Sequence, residues 1–122
     1  MNTKTVLDTI EVKDLEDNST LLATVYACTE LGNKGVPGLQ VLYQGNFVNF
    51  EPLSVERWAY QAQKAGTKEF LLQDYSWNVH ADQFIRNYLI LGDELKVRIE
   101  VKSRSKAKPV VRDFPLPFKL EE

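Results

Sequence analysis

The chain has 122 residues, of which 43% are hydrophobic and 26% charged, and its formal net charge is −2. This length fits one domain with one core, and the composition is that of a folded protein rather than a disordered or fibrous one. No apolar stretch approaches the ~20 residues that a membrane-spanning helix needs, and the N-terminus lacks the apolar core of a secretory signal. Because the single cysteine, Cys28, excludes an internal disulfide, we expect a cytoplasmic protein in a reducing compartment.

Charge is unevenly distributed along the chain. Residues 1–102 carry 10 Lys and Arg against 14 Asp and Glu, whereas residues 103–122 carry 5 against 3. We therefore divide the chain into a single domain at 1–102 and a basic, proline-punctuated tail at 103–122. A domain with this negative net charge is not suited to binding along a nucleic-acid backbone, although a local basic patch could still contact phosphates.

The first part of the chain predicts strands. Val6 to Val12 is the first, and Leu21 to Thr29 is the second. Both faces of the second strand are mostly apolar, so we expect it to be covered on both sides. Leu39 to Gln44 and Phe47 to Glu51 flank Gly45-Asn46, a pair that suits a tight hairpin turn.

The middle of the chain predicts two helices with a strand between them. Ser54 suits the N-cap of the first helix, and Gly66 suits its end. Lys68 to Tyr75 predicts a strand. A second, short helix is expected from Ala81 to Leu89, because apolar residues recur there at helical spacing. These residues are Phe84, Ile85, Tyr88 and Leu89.

Glu94 to Lys102 is the clearest strand in the sequence. Its apolar residues alternate strictly with charged ones, so one face is expected in the core and the other in water. Taken in order, the elements predict an α+β fold: a curved, mainly antiparallel sheet or partly open barrel of about six strands, with two short helices packed on it.

One segment, from His80 to Val101, resembles a known arrangement. Its predicted short helix, its Leu-Gly-Asp turn and its alternating strand are similar to those of swapped-hairpin transcription regulators. The resemblance is confined to this segment, so it assigns no family to the chain.

The end of the tail predicts a docking segment. Prolines hold it in an extended conformation, and its large apolar side chains are too dense for a free linker. The predicted contact residues are Phe114, Leu116, Phe118 and Leu120. This segment has three possible binding sites: the chain's own domain, a groove on a second copy of the chain, or an aromatic-lined site on another protein.

A run of basic residues predicts a different partner. These residues are Lys96, Arg98, Lys102, Arg104, Lys106 and Lys108. Basic runs of this kind contact phosphates in nucleic-acid-binding proteins, but on an edge strand they also prevent unwanted sheet pairing. Glu94 and Glu100, on the same face of the last strand, dilute the positive charge.

Catalytic and metal-binding chemistry has little support in the sequence. Cys28 lies within a strand, where cysteine usually acts as a small buried hydrophobe, and one histidine, His80, matches no zinc pattern. We therefore expect no enzyme, cofactor or metal site.

The function that we predict from sequence is a small interaction or regulatory module. It binds a protein partner, or a second copy of itself, through the last strand and the tail. The first alternative is a nucleic-acid-associated factor that uses the basic residues. The second is a small enzyme built around Cys28, His80 and a carboxylate.

Overall fold

The computed structural model describes residues 4–13, 20–31, 36–76, 83–103 and 108–119. Their backbone forms two antiparallel sheets of four strands each. The first sheet comprises, in spatial order, β1 (Lys4–Lys13), β2 (Thr20–Leu31), β3 (Val36–Tyr43) and β4 (Asn46–Phe50). One helix, α1 (Pro52–Ala65), follows. The second sheet comprises β5 (Glu69–Ser76), β6 (Phe84–Ile90), β7 (Lys96–Lys102) and β8 (Val110–Pro115).

The fold class expected from sequence is wrong. In place of one curved sheet or open barrel of about six strands with two helices, the described residues form eight strands in two sheets, with one helix. Each sheet is a meander in which every strand pairs with its neighbours in sequence. Helix α1 interrupts the run of strands, so β4 and β5 become edges of different sheets instead of neighbours in one.

The second predicted helix is also wrong where the structure describes it. Residues 84–90 form β6, while residues 81 and 82 lie outside the described residues. Ile85, Asn87 and Leu89 are fully buried along β6, which is the two-residue period of a strand. Strand pairing with β5 and β7 decides the conformation, because these partners satisfy the backbone of β6 from both sides.

The turn between β3 and β4 and the two ends of helix α1 lie close to their predicted positions. The β3–β4 turn falls at Gln44 and Gly45, with φ values of 47° and 78°, one residue before the predicted pair. Helix α1 begins after Glu51, so Ser54 lies inside the helix, where its hydroxyl donates to Glu51 Oε1 at 3.3 Å. The predicted end at Gly66 is confirmed by its left-handed φ of 73°. Among the described residues, no helix is long and apolar enough to cross a membrane.

The alternation predicted for β7 is confirmed. Val97, Ile99 and Val101 are fully buried, and the residues between them are half-buried. The strand is not at an edge, however, because it pairs with β6 on one side and β8 on the other. Strand β8 is formed by tail residues, and it is the edge of the second sheet.

One core joins the two sheets and the helix. Its members come from both sheets, and Val55 and Ala59 extend it into α1. At one side, the rings of Tyr43 and Tyr75 meet edge to face with centroids 6.1 Å apart. Near an edge of each sheet, Arg112 Nε lies 3.8 Å from Asp8 Oδ2. The inner faces of the sheets are therefore covered, which leaves their outer faces for function.

Candidate interaction surface

The predicted docking residues of the tail lie against the chain's own domain. Phe114 is buried in the core, opposite Val97 in the neighbouring strand. Leu116 and Phe118 are partly buried and pack against the same core. Leu120 lies outside the described residues. The described part of this segment therefore packs on the chain's own domain, which is the first of the three binding sites considered for it.

The basic residues of β7 lie on the outer face of the second sheet, where acidic neighbours surround them. Arg98 Nε donates to Asp113 Oδ1 at 2.8 Å, and Arg98 Nη1 donates to Glu69 Oε1 at 2.8 Å. The hydrogen bond to Asp113 raises the pKa of Arg98, and the same bond lowers the pKa of Asp113. Glu100 lies between Arg98 and Lys102 along the strand.

The remaining basic residues of the predicted nucleic-acid site are dispersed. Lys96 and Lys102 are half-buried at opposite ends of β7, and Lys102 Nζ donates to the carbonyl of Ser103 at 3.4 Å. Lys108 is exposed before β8, whereas Arg104 and Lys106 lie outside the described residues. The outer face of the second sheet is thus a mixture of both charge signs rather than a positive surface.

The thiol of Cys28 is free and buried. Burial raises its pKa, and the nearby Lys4 partly opposes this by favouring the thiolate. Its proposed partner, His80, lies outside the described residues. Among the residues with described positions, no group of three or more His, Cys, Asp and Glu side chains could hold a metal ion.

The outer face of the first sheet has a different chemistry. Two rows of side chains cross its four strands, and strand pairing fixes the members of each row. The first row is Thr9, Thr24, Leu42 and Phe47, and the second is Val6, Tyr26, Gln40 and Asn49. By alternation, Leu22 lies on the same side of β2, opposite Glu11, and Lys4 lies beyond the second row. We call this set of side chains the open face.

Large apolar side chains of the open face are exposed to solvent. The exposed fraction is 55% for Val6, 43% for Leu22 and 58% for Phe47. The polar members are ordered by local contacts: Gln40 Nε2 donates to Asn49 Oδ1 at 2.9 Å, and Lys4 Nζ lies 4.1 Å from the centroid of the Tyr26 ring.

A cleft adjoins the open face at the β3–β4 turn. Its volume is about 450 Å³, and Phe47 belongs both to its lining and to the open face. Its other lining residues are Tyr43, Gly45, Asn46, Gln73, Asp74 and Tyr75. Burial raises the pKa of the Tyr43 hydroxyl, and Tyr75 adds to this effect. The cleft therefore continues the aromatic character of the open face toward β5, and its lining includes the carboxylate of Asp74.

Sequence reasoning missed the open face because it assigned β2 two covered faces. That prediction is wrong for one side of β2: Leu22 is exposed, Thr24 and Tyr26 are half-buried, and of residues 22–28 on that side only Cys28 is buried, whereas Leu21, Ala23 and Val25 on the other side are all buried. One signal was present in the sequence, since the two hydroxyl-bearing side chains, Thr24 and Tyr26, both fall on the open side. Aromatic side chains such as that of Tyr26 are enriched in protein interfaces.

No family model, curated protein or solved structure matches the chain. The assignment of function therefore rests on the two outer faces and the chemistry that each presents.

Proposed function

We propose that this chain is a small, non-enzymatic interaction module that binds a protein partner through the open face of the first sheet. The proposal keeps the class of function predicted from sequence and moves the binding surface from the tail to the first sheet. The tail residue Phe114 is engaged in the chain's own core, which leaves the open face as the better candidate.

The observation that carries the proposal is the contrast between the two outer faces. On the second sheet, acidic and basic side chains pair with each other, as in the contact of Arg86 Nε with Asp74 Oδ1 at 3.2 Å. On the first sheet, Leu22 and Phe47 are exposed among hydroxyl and amide side chains, whereas the exposed Leu71 and Val111 of the second sheet are separate from each other, paired with Tyr88 and Glu100. Covering such apolar surface contributes about 25 cal/mol per Å², and aromatic residues are enriched in the centres of protein interfaces.

Site-specific photocrosslinking in the native host tests this proposal. A benzophenone amino acid at position 47 is placed on the open face, and the same residue at position 111 is its control. Val111 is 44% exposed on the second sheet, so both probes reach solvent. We expect protease-sensitive adducts of defined mass from position 47 and none from position 111. Equal adducts from both positions, or none from position 47, would contradict the proposal.

Single-stranded nucleic acid is a second candidate for the open face. The supporting observation is that Tyr26 and Phe47 present aromatic rings on one four-stranded sheet, with Lys4 beside Tyr26. Sheets of this kind stack unpaired bases on aromatic side chains in RNA-binding domains. Glu11 lies on the same face and the chain is net negative, which makes a protein the better-supported partner.

The two candidates differ in the chemistry of the crosslink and in salt dependence. Adducts at position 47 that nuclease removes would favour nucleic acid over protein. In fluorescence anisotropy with oligothymidylate, a nucleic-acid site would give binding that weakens steeply with salt and that Phe47→Ala reduces. We expect no oligothymidylate binding at ~150 mM salt, where electrostatic contacts are strongly screened.

A further inference from the structure

This inference rests on the proposed function and names the partner. We propose that the open face binds the open face of a second copy of this chain, about a two-fold axis that brings Lys4 of each copy to Glu11 of the other. Two features support this arrangement: the placement of the two charges and the sizes of the side chains that it brings together. The area of the face sets the expected strength of the contact.

The two charges lie symmetrically about the centre of the open face. Lys4 is paired with Cys28, and Glu11 is paired with Leu22, so their positions are six residues apart along β2. At ~3.4 Å per residue this separation is about 20 Å. The midpoint lies between Thr24 and Tyr26, which is the line between the two rows of the open face.

A two-fold axis along that line, in the plane of contact, superposes opposite charges. The end of the face at Cys28 and its paired residue Lys4 in one copy then lies over the end at Leu22 and its paired residue Glu11 in the other. Lys4 therefore meets Glu11 of the second copy. Symmetry then generates the same ion pair a second time, because residue i contacts j and j contacts i in such an interface. Like charges never meet in this arrangement, and one pair forms at each end.

On β2 and β4, the same axis places a large aromatic side chain over a smaller polar one. Tyr26 lies over Thr24 of the second copy, and Phe47 lies over Asn49. Along β1 and β3, the paired positions are Val6 with Thr9 and Leu42 with Gln40. Alternation of large and small side chains across a contact allows two packed sheets to interdigitate at their usual separation of about 10 Å.

The area of the open face sets the strength of the contact. Four strands ~4.8 Å apart and about 20 Å long give a projected area of about 400 Å². Stable interfaces bury about 800 Å² per partner, so the dissociation constant of this dimer should be micromolar or higher. In a contact of this size, the two ion pairs select the register.

Sedimentation velocity across a concentration series tests the proposal with charge-reversal variants. Lys4→Glu and Glu11→Lys each place like charges together twice per dimer, and each should weaken self-association by about tenfold or more. An equimolar mixture of the two variants should recover it, because the mixed dimer contains only opposite-charge contacts. The double variant Lys4→Glu/Glu11→Lys should recover it as well. Both residues are exposed, so the variants should fold, and thermal melts of each verify this.

The outcomes separate this inference from the proposed function. A wild-type chain that stays monomeric to millimolar concentration would overturn the dimer, while protein adducts at position 47 would still support the interaction module. If neither the equimolar mixture nor the double variant restores dimerisation, the two-fold arrangement is wrong.

The variant Leu22→Arg tests whether the open face is the dimer interface. Its matched control is Leu71→Arg on the second sheet, because Leu22 is 43% exposed and Leu71 is 45% exposed. If Leu22→Arg dimerises like wild type, as its control should, the open face is not the dimer interface and this inference fails, whereas the crosslinking result at position 47 decides the proposed function separately.

Discussion

Arg98 and Asp113 form a two-point ion pair across the last two strands of the second sheet. The Nε–Oδ1 distance is 2.8 Å and the Nη2–Oδ2 distance is 3.1 Å, and the two residues are directly paired in the strand register. A bidentate arginine–carboxylate contact fixes orientation as well as distance. It therefore attaches the tail strand β8 to β7, and it occupies the basic residue at the centre of the predicted nucleic-acid site.

Asp113→Asn should lower the free energy of unfolding by up to about 1 kcal/mol at neutral pH, since both partners are partly exposed and screened. The folded-state pKa of Asp113 lies below its ordinary value of 3.8. Its stabilising contribution is therefore complete above that value and is lost as the pH falls through the lower, folded-state value. Urea unfolding from pH 7 to pH 2 checks this. The difference between variant and wild type should shrink only in the acidic range, and the exposed Asp93→Asn control should show no such difference.

Phe114→Ala and Phe47→Ala separate folding from function. Phe114 is 9% exposed in the core, whereas Phe47 is 58% exposed on the open face. Loss of the buried ring should cost about 3–5 kcal/mol, and loss of the exposed ring should change stability by less than about 0.5 kcal/mol. Chemical denaturation of both variants measures this. Equal destabilisation would show that Phe47 is held by the fold and is not free for a partner.

Asn87→Leu should stabilise the protein. Asn87 is fully buried, and neither polar atom of its side-chain amide has a hydrogen-bond partner among the described residues. Replacing it with an apolar side chain of similar size removes a desolvation cost of about 1–3 kcal/mol. The thermal midpoint should rise, whereas the Asn49→Leu control loses the bond from Gln40 and should not raise it. A lower midpoint for Asn87→Leu would reveal a hydrogen-bonding role for this amide.

The thiol of Cys28 should react slowly in the native protein. It is buried, and burial raises its pKa, so little thiolate is present and reagent access requires local opening. Reaction with dithionitrobenzoate should be slower by about two orders of magnitude than in guanidinium chloride. A native rate close to the denatured rate would contradict the burial of Cys28 and revive it as a nucleophile.

Predictions from the sequence were reliable where a segment's own residues decide its conformation. Strict alternation identified β7, and Gly66 identified the end of α1. The segment 84–90 was different, because its apolar residues match a helical stripe better than they match a strand face. Its buried residues, Ile85, Asn87 and Leu89, include a polar one that a search for apolar periodicity passes over.

For the candidate site, too, the sequence identified residue types, but only the structure gave their contacts and exposure. The basic residues of β7 were visible in the sequence, but their acidic partners, Glu69 and Asp113, come from other strands. Likewise, the apolar residues of β2 were visible, but their exposure depends on which layers cover the sheet. Charge pairing and coverage are properties of residues that are distant in sequence.

By itself, the sequence determined the hairpin of β3 and β4, the end of helix α1 and the alternation of β7, since backbone preferences and alternation act over a few residues. Only the tertiary structure decided that eight strands divide into two sheets, that the tail supplies β8, and that one side of β2 stays open. The physical reason is that strand pairing and burial are contacts between distant segments. The predicted α+β barrel and the tail site followed from local patterns, whereas the open face emerges only when both sheets are in place.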